Sequence, residues 1–182
     1  MMGFDLQSIL SRIRVPAGFL LAGLYFYFSQ PTPKSLWIGS TVAFLGILVR
    51  AWATGHIRKN DELAVTGPYS YTRNPLYFGT FIIGLGFSLA GANTLILVVF
   101  LVCFATLYGS VMQQEMDYLR GRFAGDYERY QVSVPLFIPR LWPKKLGKGR
   151  FSFRRYLQNR EYQALAGFVT ALGLLFLKIR TA

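Results

Sequence analysis

Long apolar stretches separated by shorter polar ones dominate the chain. Five apolar runs stand out, at residues 15–28, 36–53, 76–92, 94–112 and 162–177. A helix needs about 20 predominantly apolar residues to cross a bilayer, with a range of roughly 17 to 25. The middle runs meet that length, and the two outer ones are short. The pattern therefore predicts an all-α integral membrane protein with about five transmembrane helices.

The third and fourth runs form one uncharged stretch. No charged residue occurs from residue 74 to residue 114, and the only interruption is the tripeptide at 91–93, Gly-Ala-Asn. This pattern predicts a helical hairpin with a tight turn. The fifth run is short for a span and ends beside Lys178 and Arg180. A re-entrant or surface-lying helix is the alternative there.

Composition agrees with a membrane protein of one domain. The chain has 182 residues, of which 53% are hydrophobic and 15% charged, whereas soluble domains carry about 25% charged residues. Such a length leaves no room for a separate soluble catalytic domain. Cys103 is the single cysteine, which excludes an intrachain disulfide and a cysteine metal cluster. Chemistry is therefore expected in or against the membrane part.

The net charge of +12 is distributed unevenly. In a five-span arrangement, one side holds seventeen basic residues, namely Arg12, Arg14, Arg50, Arg58, Lys59, Arg73 and eleven between residues 120 and 160. The other side holds Lys34, Lys178 and Arg180. Because cytoplasmic loops carry the excess of Lys and Arg, the amino terminus is predicted to be cytoplasmic. We expect the first run to be retained as a span, since no convincing signal-peptide cleavage site follows it.

The first long segment on that side, residues 55–74, leads into the third span. Gly67 and Pro68 favour a turn, and Pro75 suits the first turn of a helix. Arg73 beside a helix amino terminus is a favourable site for an anionic group. The alternative is a proline-capped helix with interfacial tyrosines and a snorkelling arginine.

The second long segment, residues 113–160, begins as a helix that extends beyond the membrane. Helical spacing places Glu115, Leu119 and Arg122 along one stripe. A carboxylate at the end of a long uncharged span is costly unless it is paired or used. An ordinary interfacial ion pair between Glu115 and Arg122 is the alternative to a functional role.

Together, these two segments resemble the isoprenylcysteine carboxyl methyltransferase family and its relatives, the phospholipid methyltransferases. The family's first motif, a Gly-Pro-Tyr turn followed by Arg-His-Pro-x-Tyr-x-Gly, is matched by Gly67, Pro68, Tyr69, Arg73, Pro75, Tyr77 and Gly79. Its second motif, Glu-Glu-x-x-Leu-x-x-x-Phe-Gly-x-x-Tyr-x-x-Tyr followed by Val-Pro and Ile-Pro, is matched by Glu115, Leu119, Phe123, Tyr127, Tyr130, Val134, Pro135, Ile138 and Pro139. Three positions depart from the pattern: Asn74 replaces histidine, Met116 the second glutamate and Ala124 a glycine.

The resemblance implies methyl transfer from S-adenosylmethionine to a lipophilic acceptor, leaving S-adenosylhomocysteine, with no metal. The cofactor site would lie at the cytoplasmic side, between the third and fourth spans and the helix that follows. The residues it implies as cofactor contacts are Tyr71, Arg73, Asn74, Pro75, Tyr77, Gly79, Glu115, Tyr127 and Tyr130. Glu115 and Arg122 are the implied catalytic residues. Arg122 would hold a carboxylate acceptor, and Glu115 would accept a proton from an amine.

The acceptor remains open between a prenylated cysteine, a phospholipid amine and another small lipophilic molecule. A membrane reductase similar to the sterol reductases and a non-catalytic membrane protein are the competing classes. We treat residues 1–182 as one domain, with a family-like core at about 36–140, a basic linker at 141–160 and a carboxy-terminal membrane helix at 161–178.

The linker is strongly basic. From residue 144 to residue 160 there are seven basic residues and no acidic one. This composition favours binding of anionic lipid headgroups, or a loop that only fixes topology. Nucleic acid is not expected as a partner, because the stretch lies between two membrane segments. His56, the only histidine, is expected to be a polar residue at the interface.

Overall fold

This computed structural model describes residues 20–57 and 62–181. Within them, the regular secondary structure is helical. Helix α1 occupies residues 20–28 within that part. The other helices are α2 (Pro33–Thr54), α3 (Pro75–Ala90), α4 (Thr94–Ser133), α5 (Phe153–Gln158) and α6 (Tyr162–Thr181), with a 3-10 turn at Gly67–Ser70. The prediction of an all-α architecture is confirmed.

Three of these helices are long and apolar enough to cross a membrane, and they are α2, α4 and α6. Helix α3 is apolar but has only 16 residues. The fifth predicted run thus forms a helix of spanning length. The beginning of the first run, residues 15–19, lies outside the described residues. The chain is an integral membrane protein.

Helix α4 is much longer than a membrane requires. The 30 residues before its kink, 94–123, reach about 45 Å at 1.5 Å per residue, against a hydrocarbon core of about 30 Å. Its second half therefore extends beyond the bilayer, as the uncharged stretch followed by charged residues predicts. The turn that precedes it, at 91–93, is also as predicted. Ala92 adopts a positive φ of 48° there, and the Asn93 side chain accepts a hydrogen bond of 2.9 Å from the Leu95 amide.

Small residues bring α2 and α3 into very close contact. Gly39, Ala43 and Gly46 follow one another at helical spacing on α2 and pack against α3. A β-carbon added to Gly46 would lie 2.6 Å from the carbonyl oxygen of Gly79, so no side chain fits. Such close approach of backbones is a principal source of helix association in lipid. Helix α6 packs on the same pair through its buried Phe168.

The two ends of the helical bundle hold different segments of the chain. The α3–α4 turn meets the residues before α2 at one end, where the Gln30 amide donates to the Gly91 carbonyl at 2.7 Å. Both motif segments and α5 gather at the opposite end, which we call the cavity end. Most described basic residues lie there, and this agrees with the predicted asymmetry. Which side is cytoplasmic remains a prediction, and Arg12, Arg14, Arg58 and Lys59 lie outside the described residues.

Candidate functional site

The site is built by docking the segment around the first motif onto the segment that follows α4. Backbone hydrogen bonds of 2.9 to 3.0 Å join them in three places: the Arg73 amide donates to Pro135, the Arg140 amide to Tyr71 and the Lys144 amide to Ser70. These residues are more than 60 positions apart in the chain. The first motif is therefore held in place by the second and by the residues after it.

Two buried polar side chains strengthen this docking. Thr72 Oγ1 donates to the carbonyl of Phe137 at 2.9 Å, and Asn74 Nδ2 donates to the carbonyl of Leu136 at 3.0 Å. Buried polar groups are almost always hydrogen-bonded, and these bonds satisfy carbonyls that no helix or sheet serves. Asn74, which stands where the family pattern has histidine, thus has a structural partner as well as a place at the site.

A tyrosine cluster underlies the first motif. Tyr127 and Tyr130 are almost fully buried with Val134. The Tyr130 hydroxyl donates to the Tyr69 carbonyl at 2.8 Å, and the Tyr127 hydroxyl accepts from Arg73 Nη1 at 3.3 Å. The pKa of Tyr130 is raised far above its usual value, chiefly by burial. Its hydroxyl therefore stays protonated and donates. Both tyrosines therefore support the site from beneath.

A kink in α4 allows this cluster to form. Ala124 has φ 28° and ψ −110° inside the helix. A positive φ is unfavourable for a residue with a β-carbon and easy for glycine. The family pattern has glycine at this position, so the bend found here explains that preference. After the kink, Tyr127 and Tyr130 turn toward the first motif.

The turn of the first motif is packed on a buried histidine. Gly67 has φ 60°, and a β-carbon there would lie 2.5 Å from His56 Nε2. His56 Nδ1 lies 3.0 Å from the Trp52 carbonyl oxygen. His56 follows the end of α2 and is 7% exposed, so it lies within the packed end of the bundle. Glycine is required at position 67 both by its conformation and by this contact.

A cavity of about 210 Å³ opens beside these elements. It is lined by Arg50, Tyr69, Arg73, Asn74, Pro75, Leu76, Tyr77, Thr80, Tyr108 and Glu115. Five of the residues predicted as cofactor contacts are among them, namely Arg73, Asn74, Pro75, Tyr77 and Glu115. Both motifs therefore contribute to one cavity, as the resemblance implies.

The other predicted residues lie elsewhere. Tyr71 packs its ring against Trp52, with 6.0 Å between the ring centroids. Gly79 is buried in the α2–α3 contact, and Arg122 is exposed with its guanidinium 5.9 Å from the Phe123 ring. The cavity lining therefore lacks five predicted residues: Tyr71, Gly79, Arg122, Tyr127 and Tyr130. Of the two predicted catalytic residues, Glu115 faces the cavity and Arg122 does not.

Arg73 is the incompletely bonded cation of the cavity. Its Nη1 contacts the Tyr127 hydroxyl and the Met116 sulfur, the latter at 3.7 Å. Its Nε is buried and has no hydrogen-bond partner. The family pattern has a glutamate where Met116 stands, so no carboxylate from that position neutralises this guanidinium. Arg73 lines the cavity and forms no ion pair among residues 20–57 and 62–181, so its guanidinium is the group there that suits an anionic ligand.

Arg50 is the second cation of the cavity, and it is paired. Its Nε lies 2.5 Å and its Nη2 3.1 Å from the two carboxylate oxygens of Glu161, while Nη1 donates to Thr80 at 2.5 Å. Glu161 is 8% exposed. The partners are 111 residues apart, which is why the sequence pattern missed them. A signal was nevertheless present, because Glu161 is the only acidic residue after Glu128 and begins an apolar run.

Polar and aromatic groups complete the lining. Burial raises the pKa of the Tyr69 hydroxyl well above its ordinary value, and the nearby Glu115 carboxylate raises it further. That hydroxyl is therefore protonated at neutral pH and can donate to a ligand. The rings of Tyr77 and Tyr108 meet edge to face, with centroids 5.5 Å apart. Within residues 20–57 and 62–181, no group of three or more His, Cys, Asp or Glu residues could hold a metal ion.

These features define an all-helical integral membrane protein with a polar cavity at one end of its spans. Comparison with known proteins shows which family it resembles. Residues 37–126 match the model of the family described as phospholipid methyltransferase. This confirms the resemblance predicted from the two motifs, and the match includes all of the first motif and the beginning of the second.

Among individual proteins, the chain is 32% identical over 135 residues to the cobalt-zinc-cadmium resistance protein CzcN of Cupriavidus metallidurans, covering 70% of this chain and 62% of that protein. It is 33% identical to the nickel-cobalt-cadmium resistance protein NccN of Alcaligenes xylosoxydans, covering 58% of this chain and 53% of that protein. It is 27% identical to the protein-S-isoprenylcysteine O-methyltransferase of Schizosaccharomyces pombe, covering 75% and 60%. The chain therefore spans less than two thirds of the length of these relatives. No solved structure matches it.

Proposed function

We propose that this chain is an S-adenosylmethionine-dependent methyltransferase that acts on a lipophilic acceptor, with the carboxylate of an isoprenylated cysteine as the first candidate. The observation that carries the proposal is the presence of both Arg73 and Glu115 in the lining of one cavity, with Arg73 Nε buried and without a partner. A cation and a carboxylate in one cavity suit the carboxylate and ammonium groups of an amino acid. Similarity to proteins named protein-S-isoprenylcysteine O-methyltransferase supports the acceptor.

The cavity-lining residues divide the work of binding. Arg73 would bind the carboxylate of the cofactor, and Glu115 its ammonium or ribose hydroxyl groups. Tyr69 offers a protonated hydroxyl, and Tyr77 and Tyr108 offer aromatic surface. Tyr71, Gly79, Tyr127 and Tyr130 act on the site through packing and hydrogen bonds. Asn74 and Pro75 also line the cavity and complete the predicted contacts.

S-adenosylmethionine supplies, when bound, a methyl group on a positively charged sulfur. The protein's contribution is then to hold the acceptor atom in line and to remove water from it, because alignment accounts for much of the rate of such displacements. For a carboxylate acceptor no proton has to be removed. Arg122, about two turns beyond Glu115 on the exposed side of α4, is the proposed partner of that carboxylate.

A phospholipid amine is the second candidate acceptor, and one observation favours it. Glu115 lines the cavity, so a carboxylate is in place to accept the proton that an amine must lose. The family match to phospholipid methyltransferases points the same way. For either acceptor, we propose that the cavity end faces the cytoplasm, because the described basic residues concentrate there.

Binding of the cofactor tests the proposal directly. Purified protein in detergent should bind S-adenosylmethionine with a dissociation constant on the order of micromolar by calorimetry, about 8 kcal/mol of binding free energy. Glu115→Gln should weaken binding about tenfold or more, since it removes a charge-assisted contact. Asp117→Asn is the matched control, because Asp117 is exposed on the same helix and contacts Arg120. Absence of binding in several detergents and lipids would refute the proposal.

Label transfer distinguishes the acceptors. Cofactor carrying a labelled methyl group is offered with a prenylcysteine analogue and, separately, with total lipid extract. Label in the prenylcysteine fraction, released by mild base as expected for a methyl ester, supports the first candidate. Base-stable label in the phospholipid fraction supports the second. Binding of the cofactor without transfer to either would leave the methyltransferase site in place but contradict both acceptors.

A further inference from the structure

The segment between the second motif and α6 is rich in both cations and exposed apolar side chains. We call residues 138–160 the basic strap. It contains eight basic residues and no acidic one. Seven of its large apolar side chains are exposed, and they are Ile138, Leu141, Trp142, Leu146, Phe151, Phe153 and Leu157. Leu141 and Trp142 are the most exposed, at 89% and 78%.

The basic strap is fixed at the boundary of the membrane part. The Lys144 amide donates to the Ser70 carbonyl at 2.9 Å, and the Ser152 amide donates to the Gly55 carbonyl at 3.0 Å. Asn159 Nδ2 donates to the Thr54 carbonyl at 3.1 Å. Thr54 ends α2, and α6 begins directly after the strap. The strap therefore lies where two spanning helices end, at the level where lipid headgroups are found.

Its charges are available to an outside partner. Among residues 20–57 and 62–181, none of the eight cations of the basic strap forms an ion pair with a carboxylate. A loop that serves only to fix topology needs Lys and Arg but has no need of exposed aromatic rings. A surface that lies on an anionic membrane uses both, since cations meet the headgroups and apolar side chains enter the acyl boundary.

We propose that the basic strap binds anionic phospholipid headgroups of the membrane that the helices span, with Leu141 and Trp142 inserted among the lipids. This binding depends on the charge and position of the strap and is independent of methyl transfer. Because the strap is hydrogen-bonded to Ser70 in the first motif, lipid bound there also holds that motif in place.

Trp142 provides the reporter for the test. The chain has three tryptophans, so Trp37→Phe and Trp52→Phe leave Trp142 alone. In phosphatidylcholine nanodiscs with a minor fraction of quencher-labelled lipid, labelled phosphatidylglycerol should quench Trp142 about threefold more than labelled phosphatidylcholine. Replacing the cations Lys144, Lys145, Lys148 and Arg150 with glutamine should remove that preference. Lys34→Gln with Arg180→Gln, at the opposite end of the bundle, should leave it unchanged.

Several outcomes overturn the proposal. Equal quenching by the two labelled lipids would make the strap a topological loop only. If the control variant with Lys34→Gln and Arg180→Gln also lost the preference for phosphatidylglycerol, that preference would result from the net charge of the protein and not from the strap. A larger change in Trp142 emission with short RNA in uncharged nanodiscs would identify a different partner. Should the tryptophan variants fail to fold, native mass spectrometry of the unaltered protein must show retained phosphatidylglycerol that the four-glutamine variant has lost.

Discussion

Arg50 and Arg73 line the same cavity but differ in how they are bonded. Arg50 is held by both oxygens of Glu161 and by Thr80, with distances of 2.5 to 3.1 Å. Arg73 has a tyrosine hydroxyl and a thioether sulfur as side-chain partners, and its Nε has none. The first arginine is held in an ion pair, whereas the second forms none among residues 20–57 and 62–181.

This difference separates structure from binding within one cavity. A buried ion pair with complete hydrogen bonding fixes the position of both partners, and Arg50 thereby ties α2 to the start of α6. A cation with an unused donor is instead available to an anionic ligand. Lining a cavity is therefore insufficient to assign a ligand contact, and the hydrogen bonds of each side chain decide it.

Removal of Arg50 should produce the largest effect on stability. Arg50→Met leaves Glu161 buried without its partner and should lower the free energy of unfolding by about 3 kcal/mol, the lower part of the range for such changes because Arg50 is partly exposed. Arg50→Met combined with Glu161→Leu should recover most of that loss, since both charges are then gone. Unfolding in detergent micelles measures both variants. If Arg50→Met were as stable as the unaltered protein, the structural role assigned to Arg50 would be wrong.

Removal of Arg73 should weaken ligand binding and leave stability nearly unchanged. Arg73→Met should weaken S-adenosylmethionine binding about 10- to 100-fold, which corresponds to about 1.5–3 kcal/mol for hydrogen bonds to a charged group. Calorimetry measures the affinity, and thermal unfolding should change little. Arg120→Gln, on the exposed face of α4, is the control. If Arg73→Met unfolds the protein as readily as Arg50→Met, the assignment of Arg73 to the ligand is wrong.

The smallest of these effects concerns Asn74, which follows Arg73 in the chain and is hydrogen-bonded to Leu136. Asn74→Ala leaves the Leu136 carbonyl with the Thr72 hydroxyl alone, at 3.2 Å and shared with Phe137, and should cost about 1 kcal/mol of stability. Asn74→His, which restores the residue of the family pattern, keeps a ring N–H as donor and should cost less. Melting temperatures of the two variants, measured side by side, check the order. The reverse order would show that the amide geometry is specifically required.

Local features of this protein were predictable from its sequence. The uncharged stretch and its Gly-Ala-Asn interruption predicted the α3–α4 hairpin, because apolar length and turn preference act over a few residues. The helical extension after residue 112 followed from the same local spacing. The bend at Ala124 was missed, since nothing in that spacing requires a positive φ at an alanine. The resemblance implies Tyr127 and Tyr130 as cofactor contacts, and after the bend they are buried beside the cavity and are not among its lining residues.

The sequence alone determined that this is a helical membrane protein in which two motifs meet at one end of an uncharged hairpin. Tertiary structure alone decided which motif residues face the cavity, placing Arg73 and Glu115 in its wall and the tyrosine pair beneath it. It also brought Glu161 to Arg50 across 111 residues. The reason is physical: helical periodicity fixes which side chains share a face, but long-range packing decides what that face meets.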